Sequence, residues 1–153
     1  MYSKILHELL EFSGVEPQKV YTRIINTQPF YKKLKTEEWT VVQTLVDPAI
    51  GFTQLDISLS CKIGRYFKLL LGPSNGGKGK PQPTDIAIGD DIQRIKYTRN
   101  KYVHGVSMIP EEEMLDFFKE FTEVAKRVDK YLRKPRFVIR RTNQGVSNFD
   151  NGR

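Results

Sequence analysis

Apolar residues recur at helical spacing along most of the chain. Residues 2–13 place Ile5, Leu9, Leu10 and Phe12 near one face, and Gly14 ends the segment. A second segment, about 16–28, carries Val20, Tyr21, Ile24 and Ile25 up to Pro29. A third, 36–47, holds the only tryptophan, Trp39, with Val41, Val42 and Leu45, and closes at Pro48. From Thr53 to Leu71 the stripe is Leu55, Leu59, Ile63, Phe67 and Leu70, with Asp56 placed to cap the free N–H groups at its start. Residues 88–106 give Ile88, Ile92, Ile95, Tyr102 and Val106. The last segment, 110–133, alternates by fours and threes through Met114, Phe118, Phe121, Ala125, Val128 and Leu132. Pro110 and the run Glu111, Glu112, Glu113 suit its positive end. The pattern predicts an all-α bundle.

Two stretches fall outside this periodicity. The sequence GPSNGGKGKPQPTDIAIG, residues 72–89, has the composition of a mobile surface loop. Its Gly72, Gly77 and Lys78 match part of a phosphate-binding P-loop. Gly79 stands where that motif needs a hydroxyl, and Lys80-Pro81-Gln82-Pro83 blocks the helix that must follow at once. After Leu132 the chain alternates briefly at Phe137, Val138 and Ile139, then turns polar. The organisation read from this is a helical domain over 1–133 and a basic, flexible tail or linker over 134–153.

Composition narrows the class. With 153 residues, 39% apolar and 28% charged, the chain has the size and balance of one globular domain. No apolar run approaches the roughly 20 residues that span a bilayer, and MYSKILHELLEFSG lacks the features of a secretory signal. The lone Cys61 cannot form an internal disulfide and fits a reducing compartment, so the expected location is cytoplasmic. The net charge of +7 is unevenly spread: residues 134–153 hold five basic residues and one acid, leaving +3 for the first 133. A basic arm attracts phosphates non-specifically, while the core alone does not announce nucleic acid.

Histidine and cysteine are too few for a metal set with recognisable spacing, since His7, His104 and Cys61 stand alone. His7 reads as a surface or core residue of its helix. No cofactor is implied. The pointed chemistry lies in RNKYVHG, residues 99–105. Arg99 fills the gap in the stripe between Ile95 and Tyr102, where a guanidinium must be paired, snorkel outward or line a cleft. His104 precedes Gly105, a residue suited to stop a helix, and a helix C-terminus favours the imidazolium. Asn100 is four residues before His104 and can orient an imidazole or bind a phosphate oxygen. A cationic fork, a proton-transferring imidazole and an amide suffice for metal-free RNA cleavage by 2′-hydroxyl attack. One difficulty is geometric: five residues apart on an ideal helix, Arg99 and His104 diverge by about 140°. Either the helix loosens before Gly105, or a second copy of the chain completes the site.

RNKYVH resembles the R-N-x-x-x-H signature of the HEPN superfamily of all-helical domains. The approach DDIQRIKYTRNKYVHG, preceded by FTQLDISLSCKIGRYFKLLLG at 52–72, is similar to the branch found in the DAZ-interacting zinc-finger ubiquitin ligase and related invertebrate proteins. The resemblance covers roughly residues 36–133. It implies a metal-independent endoribonuclease that leaves a cyclic phosphate and a 5′-hydroxyl. It also implies a homodimer with both motif helices lining one cleft, and Arg99, Asn100 and His104 as catalytic residues. Some relatives are adenylylated on a tyrosine two positions past the histidine; Val106 stands there in this chain. The alternatives are a non-catalytic HEPN module, binding nucleotide or RNA or self-associating within a longer signalling or ubiquitin-ligase-like protein, and a plain helical adaptor.

Overall fold

The structure, a computed structural model, describes the backbone of residues 2–77, 79–104 and 109–147, with the side chains of 103, 104 and 134–147 excepted. All regular structure among the described residues is helical. The chain divides into two compact units, Met1–Met108 and Ile109–Arg153.

The first unit begins with α1, Tyr2–Phe12, which buries Ile5, Leu6, Leu9 and Leu10 and ends where Gly14 takes a positive φ of 80°. Pro17 opens α2, Pro17–Ile25, at a position where its missing N–H costs nothing, and Val20 and Ile24 face the core. Pro29 acts differently from the expectation that it only ends the second segment. It lies in the first turn of a short helix, α3, Gln28–Tyr31. The Phe30 ring of α3 packs at 4.8 Å from Tyr66 and 5.0 Å from Phe67. α4, Thr36–Val42, passes into a single 3₁₀ turn, Gln43–Val46. The Glu38 carboxylate accepts the Lys35 N–H at 2.9 Å and pairs with Lys62 at 2.8 Å.

The predicted helix over 53–71 is shorter than its stripe. α5 spans Ile57–Tyr66, and Asp56 caps it as expected, its Oδ1 accepting the Leu59 N–H at 2.7 Å. Its C-terminus is closed by a Schellman-type pair: Leu69 N–H donates to Gly64 O at 2.7 Å and Lys68 N–H to Arg65 O at 3.3 Å. Lys68 holds the left-handed position with φ 58°, where glycine is the usual residue. A Cβ on Gly64 would meet the Leu70 side chain at 2.3 Å, so the turn folds back closely onto the helix. Leu55 and Leu70 are buried although they lie outside α5. The helical spacing therefore marked a buried face that continues past both caps.

α6, Ile88–His104, is one unbroken helix of 17 residues and packs on α5, which also packs on α1. Ile63 of α5 and Ile92 and Ile95 of α6 are fully covered, each contributing about 1.5–3 kcal/mol by removal from water. The predicted stripe ends at Val106, which lies outside the described residues.

The second unit holds α7, Glu111–Ser147. Pro110 O accepts the Met114 N–H at 3.0 Å, and the three glutamates occupy the first turn as the sequence suggests. Met114 and Phe118 of the predicted stripe are exposed. The helix continues through 134–147, so the backbone there is helical where the sequence reading has a tail and a short extended piece. No helix among the described residues is long and apolar enough to cross a membrane.

Candidate functional site

α6 carries the motif and is built around a buried polar end. Its first turn brings Asp90 and Asp91 to 1% and 0% exposure. Burial under the loop raises the Asp90 carboxyl, but hydrogen bonds from the Ser74 N–H, the Ser74 hydroxyl and the Ala87 N–H, with the Arg94 charge, outweigh it. The result lies below the usual aspartate range. Ser74 N and Oγ each donate to Asp90 Oδ1 at 2.8 Å. By bonding the N–H of Ala87, just before the helix, Asp90 also completes half of a capping box.

Arg94, one helical turn on, is the arginine that is fully compensated. Its Nη1 donates to Asp91 Oδ1 at 2.9 Å and its Nη2 to Gln82 O at 2.6 Å. Gln93 accepts from Arg65 Nη2 at 2.6 Å and donates from Nε2 to Gly79 O at 3.2 Å. At Gly89 the helix backbone approaches Gly72 so closely that a Cβ would lie 1.9 Å from the Gly72 carbonyl oxygen. Through these contacts α6 holds the loop at Gly72, Ser74, Gly79 and Gln82, so that where the composition suggests a mobile loop the described residues are anchored. Its composition describes only its surface. The anchors come from Asp90, Gln93 and Arg94, whose partners are largely backbone carbonyls and N–H groups invisible to side-chain patterning. The one legible trace was the acidic pair DD followed three residues later by arginine. The same contacts remove the P-loop geometry, since Asp90 holds the Ser74 N–H and α6 starts 11 residues after Gly77.

Arg99 contrasts with Arg94. It is part-buried, as its place in the stripe predicts, and no carboxylate among the described residues pairs with it. Its Nη1 donates to the Asn100 Oδ1 at 3.2 Å, so these two motif residues are in contact. The His104 side chain, and Gly105, lie outside the described residues. The backbone does bear on the geometric question. α6 stays helical through His104, so the loosening before Gly105 that would turn both residues to one side does not occur within residues 99–104. Positions 99 and 104 stay about 140° apart around the axis.

Other candidate groups are occupied. His7 donates from Nε2 to Leu55 O at 2.6 Å. It also lines a cleft of about 390 Å³ between the end of α1 and the turn at 48–53, with Glu11 and Glu16 on its wall. Cys61 is 2% exposed, and burial pushes its thiol up despite the opposing charges of Arg65 and Lys96, so it stays protonated and unreactive. Among the described residues no three His, Cys, Asp or Glu side chains converge on a metal position. Comparison with protein-family models, with curated proteins and with solved structures found no match.

Proposed function

We propose that the protein is a metal-independent endoribonuclease of the HEPN type, with each site formed from the motif helices of two chains. Arg99 binds the scissile phosphate and steadies the charge that builds on it as the 2′-hydroxyl attacks. His104 moves the proton, and Asn100 fixes the guanidinium through the bond it already accepts. The observation that carries this is Arg99 itself. On one helix, Arg94 is neutralised by a buried carboxylate while Arg99 meets none among the described residues, which leaves its charge to a phosphate. The unbroken helix supports the two-chain arrangement, because a single copy holds positions 99 and 104 on different sides.

The test is cleavage of a labelled, structured RNA in excess EDTA, with the product ends identified. Arg99→Ala and His104→Ala are each expected to lose at least about 100-fold in rate, the scale of one transition-state donor or one acid–base group. Mixing the two inactive variants should restore part of the activity, since some mixed dimers keep one intact composite site. Cleavage unchanged in both variants, or no cleavage by the wild-type chain across several RNAs, would defeat the proposal. Binding of RNA or nucleotide without turnover would favour the non-catalytic module.

A further inference from the structure

Six lysines and arginines lie on α5 and α6, and the two helices together hold two carboxylates, Asp90 and Asp91, both in the first turn of α6. Asp91 neutralises Arg94, Asp90 takes its bonds from Ser74 and Ala87, and Lys62 is met by Glu38. Arg65 and Lys96, like Arg99, pair with no carboxylate among the described residues. Arg65 is part-buried in the last turn of α5, and its Nη2 donates to Gln93 Oε1 at 2.6 Å, which fixes the guanidinium against α6. Its Nε is enclosed without a partner, while Nη1 makes no bond and stays open to solvent. A guanidinium held at a partly dry seam with donors unmet is costly unless an anion joins it. Lys96 makes no hydrogen bond or ion pair with any described residue. The charges of Arg65 and Lys96 both act on the Cys61 thiol, so the two cations converge on one stretch of the α5–α6 seam. Asp56 acts there in the opposite sense, but its carboxylate caps Leu59 and pairs with neither cation. Lys96 lies three residues after Gln93 and three before Arg99. Arg65, Lys96 and Arg99 therefore follow one another along α6 in steps of about 4.5 Å, with Asn100 within about 40° of Lys96 around the axis.

We infer that Arg65 and Lys96 form a subsite that holds the phosphate next to the scissile one in a bound RNA strand. The guanidinium offers directed donors to the phosphate oxygens, and the ammonium adds a point charge that demands no fixed angle. The subsite rests on the RNA reading proposed above. It adds a path for the strand, from Arg99 back along the α5–α6 seam toward Gln93, and a requirement for a phosphate beside the cut. Contacts of this kind place the strand and set its register without reading its bases, so the subsite brings no sequence preference of its own.

Binding of the full-length chain to a fluorescein-labelled ten-nucleotide 2′-O-methyl uridine RNA, followed by anisotropy over a salt series, separates this subsite from the chemistry. That probe cannot be cleaved by 2′-hydroxyl attack. Arg65→Gln and Lys96→Ala are each expected to weaken binding about ten-fold, the scale of one charged hydrogen bond. Lys62→Ala, on the same helix but with its ammonium on Glu38, should bind like wild type. In the double variant Arg65→Gln/Lys96→Ala the slope of log affinity against log salt should fall by about 0.7, the share of one phosphate on a single strand. Lys96 makes no bond with the described residues, so its variant reports on binding even where Arg65→Gln loosens the seam. Wild-type affinity in both single variants overturns the subsite while leaving the cleavage proposal standing. An equal loss in Lys62→Ala overturns it too, because diffuse positive charge and not a placed pair would then be responsible. A fall in slope of about twice the expected size overturns the shared phosphate. Competition by an oligoglutamate of the same charge as effectively as by unlabelled RNA overturns nucleic-acid recognition. Absence of any binding by the wild-type chain removes the subsite and the RNA reading together.

Discussion

Asp90 shows how one residue can serve two elements. Its carboxylate closes the first turn of α6 and also holds the loop through Ser74, so its charge matters to both. Replacing it by asparagine leaves one oxygen for the donors it now serves. Asp90→Asn is expected to lower stability by about 1–3 kcal/mol at pH 7, measured by urea denaturation. The pH dependence follows from the sign of the shift. The folded carboxyl titrates below its unfolded value of about 3.9, so its contribution is whole above that pH and lost as pH falls through the depressed folded value. The gap between wild type and variant should hold steady from pH 7 to about 5 and narrow below about 4. A gap already absent at pH 7 would show that the bonds to Ser74 contribute nothing. Little of this was legible in the sequence. The partners of Asp90, the N–H and hydroxyl of Ser74 from 16 residues earlier, leave no periodic mark. Asp56 was legible because its cap is local, reaching only to Leu59.

At the scale of elements, the apolar pattern located buried faces better than it located helix ends. Leu55 and Leu70 keep the spacing of α5 but belong to the turns around it, because Asp56 and the left-handed Lys68 end the helix while the chain stays against the core. Only backbone geometry reveals such ends, and lysine at 68 hides the glycine signal that would have announced one. The junction of α6 with the loop depends on Gly89 in the same unseen way. Gly89→Ala would drive a methyl group into the Gly72 carbonyl, a backbone atom that cannot rotate aside. The change should raise the intrinsic helix propensity of α6 by up to about 1 kcal/mol. It should nonetheless lower the melting temperature and speed hydrogen exchange at the Ser74 N–H. A melting temperature equal to or above that of wild type would mean that the two backbones do not need to touch.

For the whole molecule, the all-α class was legible from periodicity. For the motif, the spacing located the place of Arg99 on the stripe: it lies part-buried, touches Asn100 and has no carboxylate partner among the described residues. The arrangement of two copies is a proposal that spacing alone raised, and it carries a concentration signature. If the site needs two chains, the cleavage rate per chain should fall on dilution and track the dimer fraction measured by light scattering. A rate per chain that stays constant while the protein dissociates would place a whole site in each copy and require Arg99 and His104 to meet by another route.

The way α6 grips its loop has a consequence for what that loop can become. The grip falls on the carbonyls of Gly77, Gly79 and Gln82, on the Ser74 N–H and hydroxyl, and on the bare approach of Gly72 to Gly89. Apart from Ser74, these contacts are made with the loop's backbone. Positions such as Pro83, Thr84 and Ile86, exposed and outside those contacts, are free to vary while the path of the chain is kept. The protein thus has a fixed frame with a rewritable edge, on which selection or an engineer can change what is displayed beside the motif helix without refolding the domain beneath.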